Sequence, residues 1–420
     1  MARDREVGEV TGATVTAILE ALLTRGPSTR ANLTADTGLS RPTVSRTLAL
    51  LLRAGAVEQV KDVNHGGRGR PPHLVRLSSR RADTLGVELG RGHIAFAMTD
   101  IAGSVVLAAA CDTKPASSLV ERANEALDLL LARARDARID LTKIRSVVVG
   151  TPGPRYHNPG SRSGIDVSLA RLSRERALVA NVFTAALKAP VAVGNNTRYS
   201  ALGEMSRRRA AGLGVDDLVY LRVDEGIGGG VVSGGELQAG AWDAAGEMGH
   251  ISVDADGPAC FCGGRGCLEL VAALPAVLRA AAARDLDDLR DRATWDPAAM
   301  AAIVGAASAT GRVVAGVLAV VNPSVLVIGG SVASLPGFLE RVETVTRAVA
   351  PQWATLGLLV EAAATDHLLG AIGAAAAGYG PLGGAVPLVA QEVAVAGDVR
   401  SGPRGASTAS NGRASLPFRT

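Results

Sequence analysis

Aromatic residues are scarce in this chain: 5 Phe, 4 Tyr and 3 Trp amount to 3% of 420 residues. Any core must therefore be assembled mostly from aliphatic and small side chains. Uncharged apolar runs of about 18 residues, the length needed to span a bilayer, are also missing. The first 25 residues lack the profile of a signal peptide. These absences lead us to expect a soluble, cytoplasmic protein with no membrane partner. Cysteine is equally sparse, 4 in all, and in a reducing compartment a disulfide framework is a poor reading of so few thiols.

What is present is unevenly distributed. The net charge of +4 hides a basic beginning, because residues 1–81 hold 13 Lys or Arg against 7 Asp or Glu. The rest of the chain is close to neutral. A basic first segment beside a nearly neutral body points to a polyanion partner for that segment, although charge alone also fits a solvated face. A length of 420 residues leaves room for two or three domains.

The first segment reads as three short helices and a hairpin. Apolar positions Val15, Ile18, Leu19, Leu22 and Leu23 recur at helical spacing until Gly26-Pro27 stops them. A second helix is expected over about 29–37, ended by Gly38, and a third begins after Ser40 as N-cap, with Pro42 in its first turn. Its inward face reads Val44, Leu48, Leu51 and Leu52; its outward face begins with Arg41, Thr43, Ser45 and Arg46. Short hydroxyls and guanidiniums at a helix start are what a recognition helix presents to base edges in the major groove. Two strand-like runs then flank Gly66-Gly67-Arg68-Gly69-Arg70-Pro71-Pro72, a narrow cationic loop suited to a wing with Arg68 and Arg70 in a minor groove. Each piece taken alone has a bland alternative, a plain helical bundle or a solvated turn. Together they point to a winged helix-turn-helix over 13–80 that binds double-stranded DNA.

From Thr84 the pattern changes to strands alternating with helices, which argues for an α/β body over 84–378. A three-stranded meander covers about 85–110 and is followed by an amphipathic helix near 118–137. An apolar strand at Pro190–Gly194 runs into Asn195-Asn196 and a helix, placing two amides where open α/β sheets bind ligands. Asp224-Glu-Gly-Ile-Gly-Gly-Gly230 follows another strand and reads equally as a phosphate cradle or as a β-hairpin. Residues 1–12 and 381–420 lack apolar periodicity and are expected to be disordered.

The most informative stretch is Glu247-Met-Gly-His250 followed by Cys260-Phe-Cys262-Gly-Gly-Arg-Gly-Cys267-Leu-Glu269. Three thiols within eight residues and a histidine ten positions before them form a set of four soft or borderline ligands, as in structural Zn2+ sites. A glycine-rich loop of reduced thiols is the competing reading. A set of four protein ligands leaves no open coordination position, so a metal here would be structural.

These two motifs resemble the signature of the ROK family of repressors, open reading frames and sugar kinases. The resemblance implies an actin-like, ribonuclease H-like body of two lobes. It implies that His250, Cys260, Cys262 and Cys267 hold zinc, and that Glu247, His250 and Glu269 face a sugar. Asn195 matches the family's sugar-contacting Asn. Position 196, where the kinases carry the Asp that deprotonates the attacking sugar hydroxyl, is Asn196, which cannot accept that proton. The kinases' first phosphate turn, Asp-x-Gly-Gly/Thr, is Glu88-Leu-Gly90-Arg91-Gly92 here. Loss of a general base costs about 10²–10⁴-fold in rate, so no catalytic residue is assigned. The winged-helix segment is similar to the one that ROK repressors carry and ROK kinases lack. The implied function is a transcriptional repressor, dimeric or tetrameric, controlled by a sugar or sugar phosphate. An ATP-dependent sugar kinase with an appended DNA-binding domain is the alternative.

Overall fold

The structure is a computed structural model, and it describes residues 12–53, 56–61, 73–78, 83–100, 103–114, 117–153, 162–240, 243–363, 367–380 and 383–384. The expected wing tip with Arg68 and Arg70, residues 1–11 and residues 385–420 lie outside the described residues.

The first unit is built as its sequence dictates. Helix α1 (Gly12–Arg25) buries Val15, Ile18, Leu19 and Leu22 against α2 (Arg30–Thr37) and α3 (Arg41–Arg53). The Thr29 hydroxyl accepts the Asn32 amide at 3.1 Å to start α2, and Gly38 at φ +67° ends it, a conformation that costs glycine nothing. The Ser40 hydroxyl accepts the Thr43 amide at 3.3 Å and so opens α3. Strands β1 (Val57–Lys61) and β2 (His73–Leu77) pair antiparallel, Val57 opposite Leu77, and Ser28 adds a bridge to Val75. Gly12, expected in a disordered end, already belongs to α1.

The body repeats one scheme twice. Lobe one contains β3 (Thr84–Leu89), β4 (His93–Thr99), β5 (Val105–Asp112), α4 (Leu119–Asp136), β6 (Ser146–Thr151), α5 (Arg162–Leu187) and β7 (Val191–Asn195). Its sheet runs β5-β4-β3-β6-β7, with the meander antiparallel and β3, β6 and β7 mutually parallel. After α6 (Asn196–Ala210), lobe two contains β8 (Leu218–Val223), β9 (Ile227–Ser233) and β10 (Glu236–Leu237). Four helices follow: α7 (Glu269–Ala272), α8 (Leu274–Ala281), α9 (Leu286–Arg292) and α10 (Pro297–Val321). The chain then forms β11 (Val325–Gly329), α11 (Phe338–Val349), α12 (Gln352–Thr355) and β12 (Leu359–Ala362). That sheet runs β10-β9-β8-β11-β12 with the same strand senses. The two-lobed actin-like architecture is therefore present, and residues 224–226 are the turn of a hairpin in which Val223 faces Ile227.

Two features depart from the sequence reading. Helix α10 is long and apolar enough to cross a membrane, with a mean hydropathy of 1.7 over its most apolar window. Its buried residues, among them Ile303, Ala307, Val314 and Leu318, nevertheless pack into the core of lobe two with Val277, Leu326 and Phe338. The last helix, α13 (Leu369–Ala377), returns to lobe one, where Ala371 packs on Ala95 and Ala97. Contact with α6 is tight: a Cβ on Gly373 would lie 1.7 Å from the Tyr199 carbonyl oxygen. Within the segment expected to be a disordered tail, Gly383–Gly384 pair with Gly378–Gly380, because adjacent backbone donors and acceptors satisfy one another.

Candidate functional site

Between the lobes lies a cleft of about 520 Å3, and all five residues expected to meet a ligand line it. Asn195 and Asn196 stand at the carboxyl end of β7, while Glu247, His250 and Glu269 come from lobe two. Asn195 also caps α6, its side-chain oxygen accepting the amides of Thr197 at 2.8 Å and Arg198 at 3.2 Å. The helix-cap and ligand-facing readings of this residue are thus compatible: its Nδ2 points across to Glu247 Oε1 at 3.5 Å. Burial raises the Glu247 carboxyl above its usual range, against the pull of His250, Arg198 and Arg176. Its oxygens can accept from a hydroxyl in the cleft. Glu269 Oε2 accepts the Ile227 amide at 2.9 Å, which ties it to the β8–β9 turn.

Behind the amides sits an ionic cluster that unites the lobes. Glu88 on β3 is buried and its Oε1 is approached by Arg222 Nη1 at 3.1 Å, Asn196 Nδ2 at 3.3 Å and His93 Nε2 at 3.4 Å. Burial works to raise the Glu88 pKa, but the hydrogen bond from His93 and the charge of Arg222 outweigh it and hold it below the ordinary value. Arg222 also reaches Asp224 Oδ2 at 3.4 Å, and Asp224 Oδ1 accepts the Ser331 hydroxyl at 2.6 Å. The altered first turn thus carries a carboxylate long enough to be claimed by a guanidinium of the other lobe.

Next to the cleft, His250, Cys260, Cys262 and Cys267 converge so that their ligand atoms all lie within 4.8 Å of one another. Cys260 Sγ is 3.7 Å from His250 Nδ1 and Cys262 Sγ is 3.5 Å from Cys267 Sγ. Tetrahedral bonds of about 2.3 Å would set neighbouring sulfurs roughly 3.8 Å apart, so the donor set fits Zn2+ in chemistry and spacing. Burial pushes the Cys260 and Cys267 thiols up; a cation would supply the countercharge that their thiolates need. The loop is closed by bridges Ser252 to Cys267 and Ala259 to Arg265. With Nδ1 turned to the thiols, His250 has Nε2 available to the cleft, and its ring packs edge-on against Phe261 at 5.0 Å.

On the first unit, Arg41 is exposed and Ser45 and Arg46 are half-buried on α3. Thr43 departs from its expected outward position. It is buried, and its hydroxyl bonds the Ser40 hydroxyl at 2.8 Å, because the cap draws it inward.

Four titratable cleft residues escaped the sequence reading: His93 on β4, Arg176 on α5, Arg222 on β8, and Asp243, which pairs with buried Arg198. A signal existed for one of them, since Arg222 interrupts the otherwise apolar strand LVYLRV.

Among known proteins, the same two units recur. Residues 84–378 match the model of the ROK family, and residues 15–61 match that of the IclR helix-turn-helix domain. The chain is 26% identical over 275 residues to the xylose repressor of Bacillus spizizenii strain W23, covering 62% of this chain and 66% of that protein. It is 35% identical over 173 residues to the N-acetylmannosamine kinase of Escherichia coli O1:K1, covering 40% of this chain and 58% of that one. In structure it resembles a crystallised ROK family transcriptional regulator, a homologue of the E. coli MLC protein. That match has a TM-score of 0.70 at 22% identity and covers 90% of this chain and 99% of the other.

Proposed function

The chain belongs to the ROK family, and from that premise we propose that it is a DNA-binding transcriptional repressor whose body senses a carbohydrate instead of phosphorylating one. The observation that carries this reading is the state of position 196. Where the family's kinases place a proton acceptor, the Asn196 amide donates to Glu88 at 3.3 Å, and Glu88 is itself bound to Arg222. Neither group is placed to take a proton from a sugar hydroxyl. The relatives named as repressors, together with the helix-turn-helix match, favour regulation over catalysis.

In this reading a sugar bridges the lobes, held by Asn195 and Asn196 on one side and by Glu247, His250 and Glu269 on the other. Structural Zn2+ would be held by His250, Cys260, Cys262 and Cys267 and would fix the imidazole by polarising it as a ligand. The protein part is to orient: Cys267 leads directly into Leu268 and Glu269, and His250 belongs to both the thiol cluster and the cleft. Ligand control follows if the sugar binds the two lobe arrangements with different affinity, which would change the spacing of two DNA-reading heads in a homodimer or homotetramer on a cytoplasmic operator.

The test is a mobility shift on the promoter adjoining the gene, at stated salt and with and without sugars, beside a coupled ATP assay over a hexose panel. Operator binding relieved by a sugar supports the reading. Turnover above about 1 s⁻¹, within the ordinary enzyme range, overturns it.

Two variants sharpen it. Asn196→Asp is expected to stay below about 1 s⁻¹ in that assay. Its new carboxylate would stand where Nδ2 now lies, 3.3 Å from Glu88 Oε1, and two carboxyls that close share one proton and do not both ionise. In the DNA-binding unit, Arg41→Ala and the pair Arg68→Ala with Arg70→Ala are expected to weaken operator binding and lower the salt slope by about 1 for each phosphate no longer neutralised. A slope unchanged in every variant would remove these side chains from the interface.

A further inference from the structure

The carbohydrate-sensor reading leaves the class of sugar open, and the charges of the cleft narrow it. Resting on that reading, we propose that the cleft takes an uncharged monosaccharide and rejects its phosphate ester, with the Asp224–Glu225 turn as the rejecting element.

Five carboxylates line the cleft, on Asp224, Glu225, Asp243, Glu247 and Glu269, against three guanidiniums, on Arg91, Arg176 and Arg222. Two of those cations are already engaged. Arg176 donates from Nε to Thr151 Oγ1 at 3.3 Å and stands 3.7 Å from Asp243 Oδ2. Arg222 is shared between Glu88 and Asp224. His93, which also lines the cleft, is directed to Glu88. Counting the buried partners as well, Arg198 on Asp243 and Glu88 on Arg222, carboxyl groups still outnumber guanidiniums by six to four, and a phosphate carrying about −1.5 to −2 charges would enter a partly desolvated space that is acidic in balance.

The second observation concerns backbone donors. A glycine-rich turn after a strand holds phosphate by aiming unpaired amides at it. At the 224–226 turn, the amides on either side of the tip are spent internally. The Asp224 amide bonds the Gly226 carbonyl at 3.0 Å, and the Ile227 amide goes to Glu269 Oε2 at 2.9 Å. Asp224 receives the Ser331 hydroxyl and Arg222, and Glu225 is exposed at the tip of the same turn. The turn consequently sets the carboxylates of Asp224 and Glu225 beside two backbone amides, of Asp224 and Ile227, that are already bonded. The amides of Asn195 and Asn196 and the carboxyls of Glu247 and Glu269 suit neutral hydroxyls, which both donate and accept.

The experiment is titration calorimetry on the full-length protein with matched pairs: glucose and glucose 6-phosphate, N-acetylglucosamine and its 6-phosphate, N-acetylmannosamine and its 6-phosphate, and xylose as an unpaired neutral sugar. The expected result is binding of at least one neutral sugar, with its ester about 30-fold or more weaker at low salt. That gap is expected to narrow as ionic strength rises, since screening weakens like-charge repulsion. Glu225→Gln is expected to raise the ester's affinity several-fold. An ester that binds as tightly as its parent sugar, or a gap that moves with neither salt nor Glu225→Gln, overturns the charge argument and leaves the sensor reading standing. Failure of every neutral sugar and every ester to bind overturns both.

Discussion

Cys262→Ser is expected to abolish the proposed zinc binding and, with it, to weaken carbohydrate binding by about 10–100-fold, the scale on which losing a supporting partner of a metal site lowers metal affinity or activity. The connection runs through the backbone. Cys262 is half-buried and its Sγ accepts the Gly264 amide at 3.4 Å while lying 3.5 Å from Cys267 Sγ. The loop between them turns at Gly266, whose φ is +58° and where a Cβ would lie 1.7 Å from the Asp254 carbonyl oxygen. A loop so short of regular structure has little to hold it except its own bridges and the four converging ligands. Cys267 then passes directly into Leu268, fully buried, whose amide bonds the Ile251 carbonyl at 3.0 Å, and into Glu269. Two cleft-lining groups, His250 and Glu269, therefore hang from the same fold of chain. Metal analysis is expected to find one zinc per wild-type chain and none in the variant, with chelation of the wild type reproducing the loss of sugar response. A metal-free wild type, or a Cys262→Ser variant that binds sugar normally, would discard this account.

Most of the fold was legible because its signals are local. The α2 ends are set by Thr29 and Gly38, the α3 start by Ser40 and the α4 start by the capping box of Ser118 and Glu121, in which each side chain satisfies the other's backbone amide. Strand periodicity found the first meander, whereas the second was legible only as strand β8 followed by a turn that read equally as a phosphate cradle or a hairpin. The expected ligand residues converge because each lies on a motif tied to a strand end or to the thiol loop. What stayed hidden are pairings at long sequence separation. Nothing local to Glu88 says that its partner is Arg222, and nothing local to Asn196 says that its amide will face Glu88. Thr43 misled for the opposite reason: helical spacing placed it outward, while a hydroxyl two residues into a helix is drawn to the cap. Helix α5 packs Val179, Phe183 and Leu187 into lobe one at helical spacing, and nothing in that spacing marks Arg176 as a residue of the cleft.

The partnership of Glu88 and Arg222 yields the second large effect. Arg222→Ala is expected to destabilise the protein by about 3–5 kcal/mol at pH 7, because it leaves a buried carboxylate without its principal countercharge. The pH dependence identifies the cause. In the native protein the Glu88 pKa is held low, so its contribution to stability is fully present above the unfolded value of about 4.3 and is lost as pH falls through the lower native value. Without Arg222, burial is opposed by His93 alone among these charges, so the native pKa moves up and the stabilising contribution of the carboxylate shrinks. The variant's deficit is then greatest at neutral pH and shrinks as acid protonates Glu88. Urea unfolding of both proteins from pH 7 down through about pH 4, the unfolded value, measures this, and adding Glu88→Gln to Arg222→Ala is expected to recover most of the lost stability by removing the stranded charge. A deficit below about 1 kcal/mol, the scale of an exposed ion pair, or one that widens on acidification, would mean that the lobes are not joined through this charge. Because Asn196 donates to the same carboxylate oxygen at 3.3 Å, the variant should also weaken sugar binding. The brace that orders the amide then links the stability of the lobe arrangement to the ligand it receives.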